Sequence, residues 1–210
     1  MEMFLDGKST LTHYGLDLIS CAITPPRRKQ YLVSIPASDG DLDLMDGLCP
    51  PRFETRTITA VFALPPGNAR ETVDQLINDL EGREINIVLP NDAGHYMRGK
   101  IHVSSAGALP GAEVTVSATC APWRHFAEEV VYQIPESDVE VVYTFANAGT
   151  REVVPTVTAS GELTIVYDGS STTLSAGTYQ LTYLTISGRS NIHLQISGSA
   201  AEVRYREAVL

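Results

Sequence analysis

Two hydrophobic periods run along this chain, and they divide it into many strands and one helix. Thr57–Leu64 alternates at period 2 with β-branched and aromatic residues, which predicts a half-buried strand closed by Pro65-Pro66-Gly67. Ile85–Leu89 predicts a second strand, ended by the turn residues Pro90 to Gly94. His95–Val103 and Ala112–Cys120 predict two more on either side of a Gly/Pro loop, completing an antiparallel meander. Only Asn68–Gly82 has the helical period, with Val73, Leu76, Ile77 and Leu80 at i, i+3, i+4 and i+7. Asn68 is expected to cap that helix, Glu71 to close a capping box, and Gly82 to occupy the C′ position.

Beyond residue 133 the texture changes to short strands rich in Ser, Thr, Gly and Tyr. The predicted strands are Val139–Phe145, Val153–Ala159, Glu162–Tyr167, Thr172–Leu174, Thr178–Ile186, Asn191–Ser197 and Glu202–Arg206. Turn residues recur about every 8 to 12 positions, as a small antiparallel sandwich requires. No lysine occurs after Lys100. The expected organisation is mainly β: a strand-rich part, 1–134, with one helix at 68–82, and an all-β part, 135–210.

Composition narrows the function. With 43 % hydrophobic residues in 210, a real core is expected and disorder is not. A net charge of -10 opposes phosphate neutralisation, so no nucleic-acid binding is expected. The longest basic run, Arg27-Arg28-Lys29, follows two prolines. The start carries neither a basic leader nor an apolar run of signal length, and no later segment suits a membrane span. The expectation is a protein kept in the cytosol, or one leaving it without a signal. Cys21, Cys49 and Cys120 are odd in number and far apart, which suits small buried side chains better than a disulfide framework.

The candidate chemistry centres on Tyr31–Gly47, where Asp39, Asp41, Asp43 and Asp46 crowd together. Asp39, Asp41 and Asp43 match positions 1, 3 and 5 of a calcium loop, but Leu44 and Pro50 stand where glycine and a bidentate glutamate belong. The alternative is an Asp39-Gly40 turn leading into a strand, with Asp41 and Asp43 towards water and Leu42 and Leu44 inward. Carboxylates on an exposed strand lack the burial that raises a general acid's pKa. His13, His95, His102, His125 and His193 form no metal-spaced pair, and neither a nucleophile elbow nor a phosphate-binding loop occurs. No enzyme activity, cofactor or metal is expected. Sugar binding by the second part would have to use Tyr143, Tyr167, Tyr179, Tyr183 or Tyr205, because Trp123 precedes the boundary.

The order of several short motifs resembles the distal tail (Dit) protein of siphophages. The start Phe4-Leu5-Asp6-Gly7 leads through Ser9 to Gly15-Leu16, followed by the Pro25–Lys29 segment. Next comes Val33 to Asp43, holding the D-G-x-L-D core of Asp39, Gly40, Asp41 and Asp43. Phe53, Arg56 and Ile58, the lone helix, Tyr96-Met97-Arg98-Gly99-Lys100, Trp123-Arg124 and Asn147-Ala148-Gly149 complete the series. Ala37-Ser38 replaces the glycine that many relatives place before the D-G pair. The resemblance implies a hexameric ring at the end of the tail tube, joining it to the baseplate or tip fibre. It also implies a tube-like first domain (a β-sandwich or split barrel) and a galectin-like second domain. Implied partners are other copies of the chain, the tail tube protein, and a tail-associated lysin or tip protein. A receptor-binding protein or cell-surface glycan on the second domain is a further implied partner. The implied location is the virion tail tip, assembled in the host cytoplasm. On this reading some first-domain carboxylates line a lumen that lets DNA slide, and Asp39, Gly40, Asp41, Asp43, Arg56, Tyr96 and Gly99 are the assembly candidates. A tube or other β-rich virion subunit, or a sugar-binding adhesin, is the alternative.

Overall fold

A computed structural model of the chain describes residues 2–37, 39–45, 51–105 and 112–210. The expectations for Cys49, for Pro50 and for the Gly/Pro loop before Ala112 lie outside the described residues. The fold is mainly β, and the chain separates into two compact units, Met1–Arg124 and His125–Leu210.

The first unit holds β1 (Phe4–Leu5), β2 (Lys8–Ser9), β3 (Asp17–Ile23), β4 (Leu32–Ser34), β5 (Asp41–Asp43) and β6 (Arg56–Ala63). The helix α1 (Ala69–Leu80) follows, then β7 (Glu84–Val88), β8 (His95–Ser105) and β9 (Glu113–Cys120), and β10 (Arg124–Phe126) spans the dividing point between the units. One antiparallel sheet takes the order β2-β1-β7-β8-β9-β6-β3. The four strands expected of the meander are its centre. β1 and β2 were not separately expected, although Asp6-Gly7 makes the connection clear in retrospect. Both residues have positive φ, +53° and +76°, which matches a type I′ hairpin turn.

Helix α1 packs against β8, and Val73, Leu76 and Leu80 join Ile85, Met97 and Ile101 in one core. Two details differ from expectation. Ile77 is 41 % exposed, and the buried stripe runs instead through Ala69, Thr72, Val73, Leu76 and Leu80. Asn68 makes no side-chain cap, and its carbonyl only accepts from Thr72 N–H (3.0 Å). Gly82 stands just beyond the C-cap with φ +71° and donates across to the Ile101 carbonyl (3.0 Å).

The Glu81 carboxylate reinforces this joint by accepting the Val103 N–H (2.6 Å) and pairing with His102 Nδ1 (2.9 Å). The backbone bond first, then His102, holds Glu81 below the usual carboxylate range. A depressed folded pKa contributes stability above the unfolded value, and this is lost as pH falls through the folded one. Glu81→Gln should therefore flatten the fall in first-unit Tm between about pH 5 and pH 3 in a thermal-melt series. A fall as steep as that of the wild type would remove Glu81 from the account.

The second unit is a pair of antiparallel four-stranded sheets sharing one core. The two sheets are made of β11 (Val130–Ile134), β12 (Ser137–Asn147), β13 (Thr156–Ala159), β14 (Leu163–Tyr167), β15 (Ser170–Leu174), β16 (Gly177–Gln180), β17 (Ser190–Gly198) and β18 (Ala201–Tyr205), while the short β19 (Ala208–Val209) lies outside both and pairs with β10. The sheets are ordered β11-β18-β13-β16 and β12-β17-β14-β15. β11 pairs with β18 from Val130 to Ile134, so the expected dividing point near Ile134–Ser137 lies inside this unit. The strand expected over Thr178–Ile186 stops at Gln180. Turn bonds from Thr182 to Gln180 and from Leu184 to Leu181 break the extension, and Leu181, Leu184 and Ile186 are all buried.

Candidate assembly surfaces

The assembly candidates fall in two places. Asp39, Gly40, Asp41 and Asp43 belong to a hairpin, β4 with β5, that among the described residues forms a separate two-stranded sheet. Asp39 and Asp41 are exposed. Asp43 is half buried, and its Oδ1 accepts the N–H groups of Tyr31 and Met45 (both 3.0 Å), closing the base of the hairpin. Leu42 was expected inward but is 49 % exposed, on a ribbon of only two strands among the described residues. Tyr31 (63 % exposed), Leu32 and Ile35 surround it with further exposed apolar surface. Ala37, in the place where a glycine was noted as missing, takes a left-handed φ of +66°.

Arg56, Tyr96 and Gly99 lie together in the sheet. Gly99 on β8 and Arg56 on β6 both face Cys120 on β9, so the three form one cross-strand row. Gly99 is required there: a Cβ would lie 2.4 Å from Cys120 Sγ and 3.0 Å from the Thr119 carbonyl. Burial pushes the Cys120 thiol up to about 11 and also raises Cys21, which suits unreactive packing side chains. Tyr96 is half buried on β8, three residues from Gly99.

Several features were missed by sequence reasoning. β3 forms an edge of the sheet, with Ile19 and Ile23 exposed beside a groove of about 340 Å³ that Leu18, Leu89 and Pro90 help to line. Its signal was blurred by a register shift between Leu18 and Ser20, which breaks the alternation. In the second unit, Tyr143, Tyr167, Tyr179 and Tyr205 pack into or against the core, and of the five tyrosines considered for sugar binding only Tyr183 is exposed. Among the described residues no cluster of three or more His, Cys, Asp or Glu has metal-holding geometry. No helix among them is long and apolar enough to cross a membrane.

No family model matches this sequence, and no curated protein matches it. A solved structure does. The Dit protein of phage SPP1, described as a paradigm of the hub adsorption apparatus in phages infecting Gram-positive bacteria, superposes with a TM-score of 0.68. The match covers 100 % of this chain and 99 % of that one at 12 % identity. The chain has a Dit fold. That agreement spans both units, so the β-sheet with its helix and the small sandwich following it recur together in the Dit fold.

Proposed function

We propose that this chain is a structural subunit of a phage tail hub, a distal tail protein rather than an enzyme. The full-length correspondence to the Dit fold carries this reading. In detail, six copies close into a ring that joins the tail tube to the baseplate or tip fibre and lets DNA through. The first unit forms the ring. The second, galectin-like unit meets a receptor-binding protein or a cell-surface glycan, and a tail-associated lysin or tip protein docks on the hub. The protein acts at the virion tail tip after assembly in the host cytoplasm.

Two physical features support a ring built from the first unit. Exposed apolar side chains concentrate on the β4–β5 hairpin and on the edge strand β3, two separate elements of one unit. Head-to-tail contact between different surfaces generates closed rings when the rotation closes. The net charge of -10 suits a lumen that must not grip DNA.

The hairpin supplies the test. Leu32→Ser with Leu42→Ser alters side chains already in water, so Tm should stay within about 2 °C of the wild type. In sedimentation velocity the wild type should run as a closed oligomer and the double variant as smaller species. A wild-type chain that stays monomeric at high concentration would overturn the ring.

A further inference from the structure

Arg56 is buried to within 6 % of its surface at the start of β6. Its Nη2 donates to the Pro122 carbonyl, while its Nε has no hydrogen-bond partner. Among the described residues no carboxylate forms an ion pair with it, and the charged group that acts on it most strongly is another cation, Arg124. Burial first, then that repulsion, disfavours the charged guanidinium. Arg124 is half exposed and shares Asp92: Asp92 Oδ2 accepts from Arg124 Nη1 (3.1 Å) and Oδ1 bonds His95 Nδ1 (2.7 Å). One carboxylate thus serves Arg124 and His95, leaving Arg56 uncompensated in a chain whose net charge is -10. Phe53, three residues before Arg56, and Trp123, which follows Pro122, form an edge-to-face pair (5.6 Å).

A water molecule would satisfy the free Nε–H but not the charge. A carboxylate would offset both, and guanidinium is the side chain best matched to a two-oxygen acceptor. Breaking a buried pair leaves the surviving charge costly, so a lone buried arginine is what an interface half looks like before its partner arrives. Asp39 and Asp41 complement it, being exposed carboxylates on the β4–β5 hairpin of the same unit. We propose that Arg56, with Arg124 at its rim, receives the Asp39 or Asp41 carboxylate of a second copy of this chain. The inference rests on the ring reading and specifies the ion pair that locks one subunit to the next.

Arg56→Met removes the buried charge but keeps length and apolar volume. The isolated chain should then melt at or above the wild-type temperature, while self-association weakens about a hundredfold. A purely structural Arg56 would instead lower Tm and leave association intact. Asp39→Asn with Asp41→Asn, on exposed sites, should also lose self-association. Mixing the two variants should restore one intact joint per pair and give a 1:1 complex, seen by sedimentation velocity. If Arg56→Met fails to fold, Arg124→Gln takes its place in the same mixture. Variants that assemble like the wild type overturn the ion pair and leave the ring standing. A wild type that does not self-associate overturns the ring. In that case the peptide acetyl-Asp-Gly-Asp-amide is titrated against labelled wild-type chain. A saturable shift of the Arg56 Nε–H resonance supports the carboxylate site, and no shift overturns it.

Discussion

Asn147→Ala should be among the most damaging single substitutions in the second unit. Asn147 is 98 % buried at the end of β12. Its Nδ2 donates to the carbonyls of Arg151 (2.7 Å), Ile186 (3.1 Å) and Ser187 (3.2 Å), and its Oδ1 accepts the Gly149 N–H (3.0 Å). One amide therefore ties the end of β12 to the loop that follows it and to the Ile186 and Ser187 carbonyls, far along the chain. Alanine leaves the Gly149 N–H and the Arg151 carbonyl without their partner, at about 1–3 kcal/mol each where water does not reach them. The Ile186 carbonyl keeps the Val153 N–H and the Ser187 carbonyl keeps the Ser190 hydroxyl. The loss should be at least about 2 kcal/mol, a fall of roughly 8–16 °C in the second unit's Tm. Asn147→Asp should do no better, since its carboxylate would face the same carbonyls without a donor. Thermal melts of the full chain should show the second-unit transition displaced and the first-unit transition unchanged. A displacement under about 3 °C would mean that the amide is not the hub described here.

Gly99→Ala should be the comparable lesion in the first unit. The added methyl meets the Cys120 sulfur at 2.4 Å, with backbone atoms of Thr119 and Cys120 at 3.0 and 3.2 Å. Cys120 is fully buried between β8 and β6, so the clash must be relieved by moving strands. Overpacking of this kind costs about 1–3 kcal/mol, and the backbone contacts argue for the upper end. Cys120→Ala in the same chain removes the nearest obstruction and should return at least about 1 kcal/mol, measured as a double-mutant coupling by urea unfolding. Additive losses would show that Gly99 is required for a reason other than the room taken by Cys120.

Much of the fold was legible in the sequence because period 2 survives wherever a strand has one wet and one dry face. β6, β7, β8 and β9 have that character, as do β14 and β17. β3 was not legible: it is an edge strand whose alternation is broken between Leu18 and Ser20, so apolar residues appear on both sides. The helix was recognised from Val73, Leu76 and Leu80, but its stripe was placed one column away because Ala69 and Thr72 carry little hydrophobic signal. At the candidate surfaces, Gly99 and Arg56 were found as motif members, yet their shared neighbour Cys120 emerges only from strand register. The aspartates were conspicuous for their charge. The exposed Tyr31, Leu32 and Leu42 around them were not, since apolar residues are assigned inward until a missing sheet shows otherwise.

The central claim is that the 22.7 kDa chain closes into a hub ring. Negative-stain electron microscopy of the purified full-length protein tests it most directly. Sixfold ring views with a central hole are expected. Single compact particles, or open filaments with no closed views at any protein concentration, would contradict it.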